Sequence, residues 1–242
     1  MGLILITVAM ESETVELRGA LRNREDFTVR EYLFSKGMIE DEEVLVLTTG
    51  VGMVASAMAL AVALEHFDIR AVISQGTAGA HGRSLHTGDI VLCGMLFDTN
   101  TYRTPELPEG AGIKPEEWEF LSHDFHGEDD WRAPEPLLCD RKLLSCAERV
   151  PYEGRVITGV IGSGDTWNRE VDRIKQLQRI FGTDCEEMEA YAVACVCKRY
   201  SVPCLALRVI SNNEWLGEKF DLSAAGRAQD FTRALMRELK GF

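Results

Sequence analysis

The run Ala71-Val72-Ile73-Ser74-Gln75-Gly76-Thr77-Ala78-Gly79 decides the fold. Residues 71–75 (AVISQ) are apolar and β-branched, so they predict a short buried strand, and Gln75–Gly79 closes it with small side chains. Just before it, residues 53–66 (MVASAMALAVALEH) predict a helix whose small side chains allow close approach to a sheet or a partner helix. Just after it, residues 88–94 (GDIVLCG) predict a further strand. Strand and helix alternate, with glycines at the junctions, which is the signature of an α/β fold. Further out, residues 3–8 (LILITV) predict another buried strand and 11–22 a helix carrying Val15, Leu17 and Leu21. Residues 27–35 and 43–48 predict a hairpin around the acidic turn MIEDEE. Towards the C-terminus the pattern predicts a helix near 136–148, a strand at 155–161, helices at 168–181 and 188–199, a strand at 203–210 and an amphipathic helix at 222–239. The expectation is a single α/β domain over 1–242, a three-layer sandwich around a mixed, mostly parallel twisted sheet.

Composition narrows the function. Of 242 residues, 45% are hydrophobic and 27% charged, as in ordinary globular proteins. Asp+Glu number 39 against 26 Lys+Arg, a net charge of -13. A chain that acidic is expected to avoid nucleic acid and anionic membrane surfaces, because both require cations. No apolar run approaches the roughly 20 residues of a membrane-spanning helix. The opening MGLILITVAMESE lacks a basic region before its apolar stretch and is read as a strand rather than a signal peptide. Seven scattered cysteines, without a zinc-type spacing, predict free thiols in a reducing cytoplasm and no metal site. Residues 105–136 stand apart, with five of the seven prolines and ten acids against two bases. They predict a surface excursion pinned by Trp118 and Trp131. His123 and His126 within it are read as solvated loop residues.

Several strand ends carry polar or small residues. Met10-Glu11-Ser12-Glu13 follows the first strand; the plainer reading is a helix cap. Gly50-Val51-Gly52-Met53-Val54-Ala55 fits G-x-G-x-x-A between a strand and a helix. It does not lie on the first strand and no ribose-binding acid clearly follows, so a tight turn beside a small ligand is preferred to a dinucleotide site. In Cys185-Glu186-Glu187-Met188-Glu189-Ala190, acids at a helix start complement its dipole. Glu189, however, sits against an apolar run and needs a partner, and a carboxylate suits the two hydroxyls of a ribose. Ser211, Asn212 and Asn213 either cap the next segment or face a site. Taken together, these ends point to one pocket on one edge of a sheet.

These stretches, in this order, resemble the nucleoside phosphorylase and nucleosidase superfamily, most of all bacterial 5′-methylthioadenosine/S-adenosylhomocysteine nucleosidases. The resemblance runs through AMESE, TGVGMVASAMALAVALEHF, VISQGTAGAHGRSLHTGDIV, GSGDTWN, EEMEAYAVA and VPCLALRVISNN. It implies a nucleoside phosphorylase-like fold, no cofactor, a purine nucleoside substrate and a homodimer. Glu13 matches the glutamate that activates the attacking water, and Glu189 the acid that grips the ribose hydroxyls. Met188 packs on the sugar, and Thr77 stands where a serine usually touches the ribose. Trp167 stands where an aromatic stacks on the purine. Ala78, Gly79 and the backbone near Asn168 lie beside the base, while Met10 and Val51 lie at the sugar and 5′ end.

Asn212 departs from the pattern. Adenine-specific nucleosidases carry aspartate there, which donates to N7 and accepts from the 6-amino group. Asparagine donates to both N7 and a 6-oxo group, which points to hypoxanthine- or guanine-type bases. Asn213 or Glu214 is a possible substitute for the missing acid. Superfamily phosphorylases place arginines where this chain has Glu11, Glu13 and Ser74-Gln75, which favours water over phosphate. The expected activity is hydrolysis of the N-glycosidic bond of a purine nucleoside, 5′-modified nucleosides such as methylthioadenosine and adenosylhomocysteine included. The alternatives are a phosphate-dependent phosphorylase and a nucleoside-binding protein with lapsed catalysis. The helix 53–66 is the expected dimer face, and the stretch 97–115 is expected to reach a neighbour's pocket.

Overall fold

The computed structural model describes residues 2–122, 134–240 and 242. Strand β1 (Leu3–Val8) is buried at every position, so it has no polar face and no alternation. A 3₁₀ turn (Glu11–Glu13) and helix α1 (Val15–Ala20) follow, in place of one helix over 11–22. The chain then makes a three-stranded meander of β2 (Arg22–Val29), β3 (Tyr32–Ile39) and β4 (Glu42–Thr48). The predicted hairpin had only two strands. The turn it missed is Arg30-Glu31, where both residues adopt positive φ without a glycine to signal it.

Helix α2 (Met53–His66) has the predicted bounds and leads into β5 (Ile69–Ala80), then β6 (Ile90–Asp98). The short strands β7 (Tyr102–Arg103) and β8 (Glu119–Phe120) pair with each other. Next come β9 (Leu137–Leu138), α3 (Arg141–Ala147), β10 (Val156–Ser163) and α4 (Val171–Phe181). Strand β11 (Cys185–Glu187), α5 (Ala190–Tyr200), β12 (Cys204–Asn212) and α6 (Ser223–Glu238) complete the order. Helix α3 starts later than predicted because Asp140 caps it, its carboxylate accepting from Lys142 N at 2.9 Å and Leu143 N at 3.0 Å.

One mixed sheet runs in the order β11-β10-β6-β12-β5-β1-β4-β3-β2, with β9 beside β6. β5 lies between β1 and β12, parallel to both. Its far end also pairs antiparallel with β11, so β11, β10, β6, β12 and β5 close a ring of strands. Helices cover the sheet in two groups. α2 packs on α5, which lies against β5, β6, β10 and β12, while α6 lies against β5 and β12 with α1 and α3 beside it. This gives the three-layer α/β sandwich.

Residues 123–133 of the excursion, with His123, His126 and Trp131, lie outside the described residues. Trp118 stacks on Tyr102 with centroids 4.4 Å apart, and the Arg173 guanidinium lies 5.3 Å from the Trp118 ring centre. Phe120 joins Leu177 and Phe181 in a small separate core, so this part of the excursion is held on α4. The seven cysteines are free. Among the described residues, no helix is long and apolar enough to cross a membrane, and no group of three or more His, Cys, Asp or Glu side chains is arranged for a metal ion.

Candidate active site

Because β1, β5 and β12 run parallel, their carboxyl ends lie on one edge of the sheet, with β11 closing the side. A pocket of about 220 Å³ opens there. The end of β1 supplies Met10 and Glu13, and the end of β5 supplies Thr77, Ala78 and Gly79. β11 and the turn after it supply Glu186, Glu187, Met188 and Glu189; β12 supplies Ser211 and Asn212. Val51, Thr166, Trp167 and Phe220 complete the wall. Of the residues the resemblance places in the pocket, Asn168 is absent from this lining, as are the two substitutes considered for Asn212, Asn213 and Glu214.

The floor is a network of buried charges. Glu13 is 1% exposed. Its Oε2 accepts from Ala9 N and Met10 N, both at 3.2 Å, and its Oε1 from Thr77 N at 3.1 Å. Burial pushes its carboxyl above the ordinary range, against the opposing pull of Arg208 and those backbone N–H groups. Glu189 stands at the start of α5 and accepts from Gly52 N at 2.9 Å. Burial, with the neighbouring Glu187 charge, raises it to about 7, with Arg208 working against both. Arg208, 1% exposed, donates to Glu187 and to Ser74 O at 2.9 Å, and lies 4.0 Å from Glu189. Glu187 also accepts from Ser163 Oγ, from Glu189 N at 3.0 Å and from Ala190 N at 2.9 Å. Behind Glu13 and Glu189 lies a cavity of about 10 Å³, bordered by Arg208 and Thr7. Arg208 Nε and Thr7 Oγ1 have no hydrogen-bond partner among the described residues. That space matches one water molecule with polar neighbours.

At the start of α2, Gly50 and Gly52 take positive φ and turn the chain sharply into the helix. The helix's first amides are already occupied: Gly52 N by Glu189, and Met53 N by Asp165 Oδ1 at 2.7 Å. A pyrophosphate would have to displace two carboxylates, so the turn-and-ligand reading of G-x-G-x-x-A fits and the dinucleotide reading does not.

Asn212 is 3% exposed. An irregularity in β12 sets Asn212, rather than Ser211, opposite Gly79 of β5. Such a bulge re-aims the side chain that follows it. Ser211 Oγ lies 3.0 Å from Asn212 Oδ1 and 3.1 Å from Ala78 O, so its hydroxyl ties the Asn212 side chain to the end of β5. Asn213 does not substitute for it. Its Nδ2 donates to Gly82 O and Leu85 O, both at 2.8 Å, and its Oδ1 accepts from Trp215 N at 3.0 Å, so it is consumed by the loop. Glu214 sits on Arg169 at 3.4 Å and does not line the pocket. Asn168 gives its backbone N–H to Glu186 at 2.9 Å and its side-chain amide to the same carboxylate at 2.6 Å. At the mouth, Trp167 is 54% exposed and faces Phe220 with ring centres 5.7 Å apart.

The sequence marks Glu186 and Glu187 only as acids before a helix, with Glu187 at a pocket-forming strand end, and gives no role to Arg208 or Phe220. Arg208 had a usable signal: one cation in an apolar strand, CLALRVI, must meet a buried anion.

A model of the phosphorylase superfamily matches residues 3–239. The chain is 27% identical over 248 residues to 5′-methylthioadenosine/S-adenosylhomocysteine nucleosidase of Bacillus cytotoxicus, covering 98% of this chain and 99% of that one. It is 28% identical to the nucleosidase of the same name from Bacillus thuringiensis, with the same coverage. Among solved structures it resembles the Neisseria meningitidis 5′-methylthioadenosine/S-adenosylhomocysteine nucleosidase in complex with methylthio-immucillin-A. That likeness has a TM-score of 0.81, 21% identity, and coverage of 99% of this chain and 100% of that one. It resembles the futalosine hydrolase of Helicobacter pylori at a TM-score of 0.79 and 24% identity, covering 98% of each chain. With sheet, strand-end pocket and a match over nearly its whole length in agreement, this chain belongs to the phosphorylase superfamily.

Proposed function

We propose that the chain is a purine nucleosidase that cleaves the N-glycosidic bond of a purine nucleoside with water. The observation that carries this reading is Glu13: a buried carboxylate that lines the strand-end pocket, where it takes a proton from water and repels a phosphate. In this reading Glu189 accepts the ribose hydroxyls, Met188 packs on the sugar and Thr77 lies beside it. Trp167 stacks on the base, with Ala78 and Gly79 along its edge. The C1′–N9 bond breaks with its electron pair passing to the base, which Asn212 stabilises by donating a hydrogen bond and which takes up a proton from solvent. The water oxygen bonds C1′, and its proton goes to Glu13 and then to solvent. A preorganised donor of this kind contributes about 2.7–4 kcal/mol to similar reactions.

Phosphate is disfavoured as the nucleophile. It needs free cations, and the one arginine at this floor is committed to Glu187. The curated relatives named above are nucleosidases acting on 5′-thio nucleosides. The apolar rim residues Met10 and Val51 favour an apolar 5′ group here too. Asn212, an amide able to donate where an aspartate would accept, favours a 6-oxopurine base. We also infer a homodimer through α2, where Val54 is 69% and Met58 58% exposed; a monomer in sedimentation would end that part.

The test is base release from methylthioadenosine, adenosylhomocysteine, adenosine and inosine, each with and without phosphate. Release without phosphate is expected. Strict dependence on phosphate would move the assignment to a phosphorylase, and binding with no release from any of the four to a lapsed enzyme.

A further inference from the structure

Away from the pocket, four of the seven cysteines meet in one chain of sulfurs. Cys93 comes from β6, Cys139 from the turn between β9 and α3, Cys197 from α5, and Cys204 opens β12. The Cys139 thiol is hydrogen-bonded to Cys93 and to Cys204, and Cys204 is in turn hydrogen-bonded to Cys197. Buried cysteines commonly act as small apolar fillers. Sulfurs in mutual contact have a further property. A change of rotamer is enough to bring two of them to the S–S distance of about 2.05 Å.

Backbone geometry and access single out one pair. Asp140 N donates to Cys204 O at 2.9 Å, and Ala206 N donates to Cys139 Sγ at 3.4 Å, so the chain at Cys139 and Asp140 lies alongside the start of β12. Backbones joined in this way run about 4.8 Å apart, within the roughly 4.4–6.8 Å between Cα atoms that a disulfide spans. The hydrogen bonds from Cys204 and Cys93 hold the Cys139 thiol well below its ordinary pKa, with burial working against them. A sulfur held so is more readily the thiolate, the form that reacts. Cys93 is fully buried. Cys204 is 9% exposed and lines a groove of about 420 Å³ between Leu137, Leu138, Val202 and Pro203.

We infer that Cys139 and Cys204 are a reversible dithiol–disulfide pair, oxidised by hydroperoxides that enter through this groove, and that the disulfide straps the turn before α3 to the start of β12. One sulfur of the pair, as the thiolate, attacks a hydroperoxide oxygen. The S–O bond forms, the O–O bond breaks, and the leaving oxygen takes a proton as water or an alcohol. The second thiolate attacks the sulfenic sulfur, the S–S bond forms, and hydroxide leaves and is protonated to water. The two thiols give up two electrons and two protons, which the hydroperoxide receives. The strap lies at the opposite end of β12 from Asn212, and it stands independently of the nucleosidase reading.

The experiment treats the folded, reduced chain with hydrogen peroxide, then denatures it, alkylates the remaining thiols and maps the peptides by mass spectrometry. Two of the seven thiols are expected to disappear into one link within the chain, between Cys139 and Cys204. Dithiothreitol should restore all seven. The oxidised chain should melt about 5–15 °C above the reduced one, because the link closes a long loop. Cys204→Ser should abolish both the link and the rise in melting. Cys195→Ser should leave both intact, since that half-buried thiol bonds Tyr191 and stands outside the chain of sulfurs. The mapping uses the wild type, so it decides the question even where a core substitution weakens the fold. Seven thiols remaining, a link between Cys93 and Cys139, links only between separate chains, or unchanged melting after the link has formed would each overturn the inference.

Discussion

At the floor of the pocket Glu13, Glu187, Glu189 and Arg208 are held by one another and by backbone amides. At its rim Met10, Val51, Trp167 and Phe220 are between 36% and 54% exposed. The floor is made of strand ends whose side chains have almost no freedom. The rim is made of loop residues whose position no buried network dictates. A change at the floor therefore disturbs charge balance and fold together, whereas a change at the rim alters what fits. On this division the reaction belongs to the floor and the tolerance for different 5′ groups to the rim.

Four substitutions break or sharpen that contrast. Glu13→Gln removes the base and sets an amide NH2 against backbone N–H donors, so turnover should fall by about 10²- to 10⁴-fold and melting should fall with it. Normal turnover would remove Glu13 from the reaction. Arg208→Met strands Glu187 without its cation, and urea unfolding should show a loss of about 3–5 kcal/mol. A loss below about 1 kcal/mol would mean that the floor is not an electrostatic unit.

Glu189→Gln should act in opposite directions on activity and stability. The folded carboxyl titrates near 7 instead of the ordinary 4.5, so the folded state holds this proton more tightly than the unfolded one. The stabilisation is fully present below about pH 4.5 and is lost as pH rises through about 7, up to about 3 kcal/mol for a shift of this size. Melting at pH 5 and pH 8 should show the variant gaining on the wild type only at pH 8, with turnover lost. An equal difference at both values would refute the shift. Trp167→Ala is the mildest: KM should rise about tenfold, as for loss of one stacking platform, with stability nearly unchanged. A kcat effect larger than the KM effect would place Trp167 with the floor.

Much of this was legible in the chain. β1 and β12 are apolar runs ending in polar residues, because parallel strands buried on both faces tolerate little else. Helix α2 was found to the residue because small apolar side chains fill it between a glycine turn and His66. Other elements carried no local signal. β11 contains two glutamates in three residues and is a strand only because β10 and β5 pair with it. In β2, with its exposed polar sequence RNREDFTV, only residues 27–29 fall within the predicted strand, for the same reason: its structure comes from β3 rather than from its own residues. At the site, carboxylate positions were readable one at a time. The pairing of Glu187 with Arg208, and of Glu186 with Asn168, depends on contacts across the sheet that no spacing announces.

The occupied start of α2 has a consequence in time. Its two capping carboxylates, Asp165 and Glu189, come from 112 and 137 residues further along the chain. During synthesis that helix waits with bare amides until the ribosome has made most of the protein. Contacts so distant in sequence are late in folding, since the intervening chain must first be organised. The ribose end of the pocket is therefore among the last parts to be assembled, and a chain stopped before Glu189 lacks both that carboxylate and β12, the strand that joins β5 to β6, and has no place to hold a sugar.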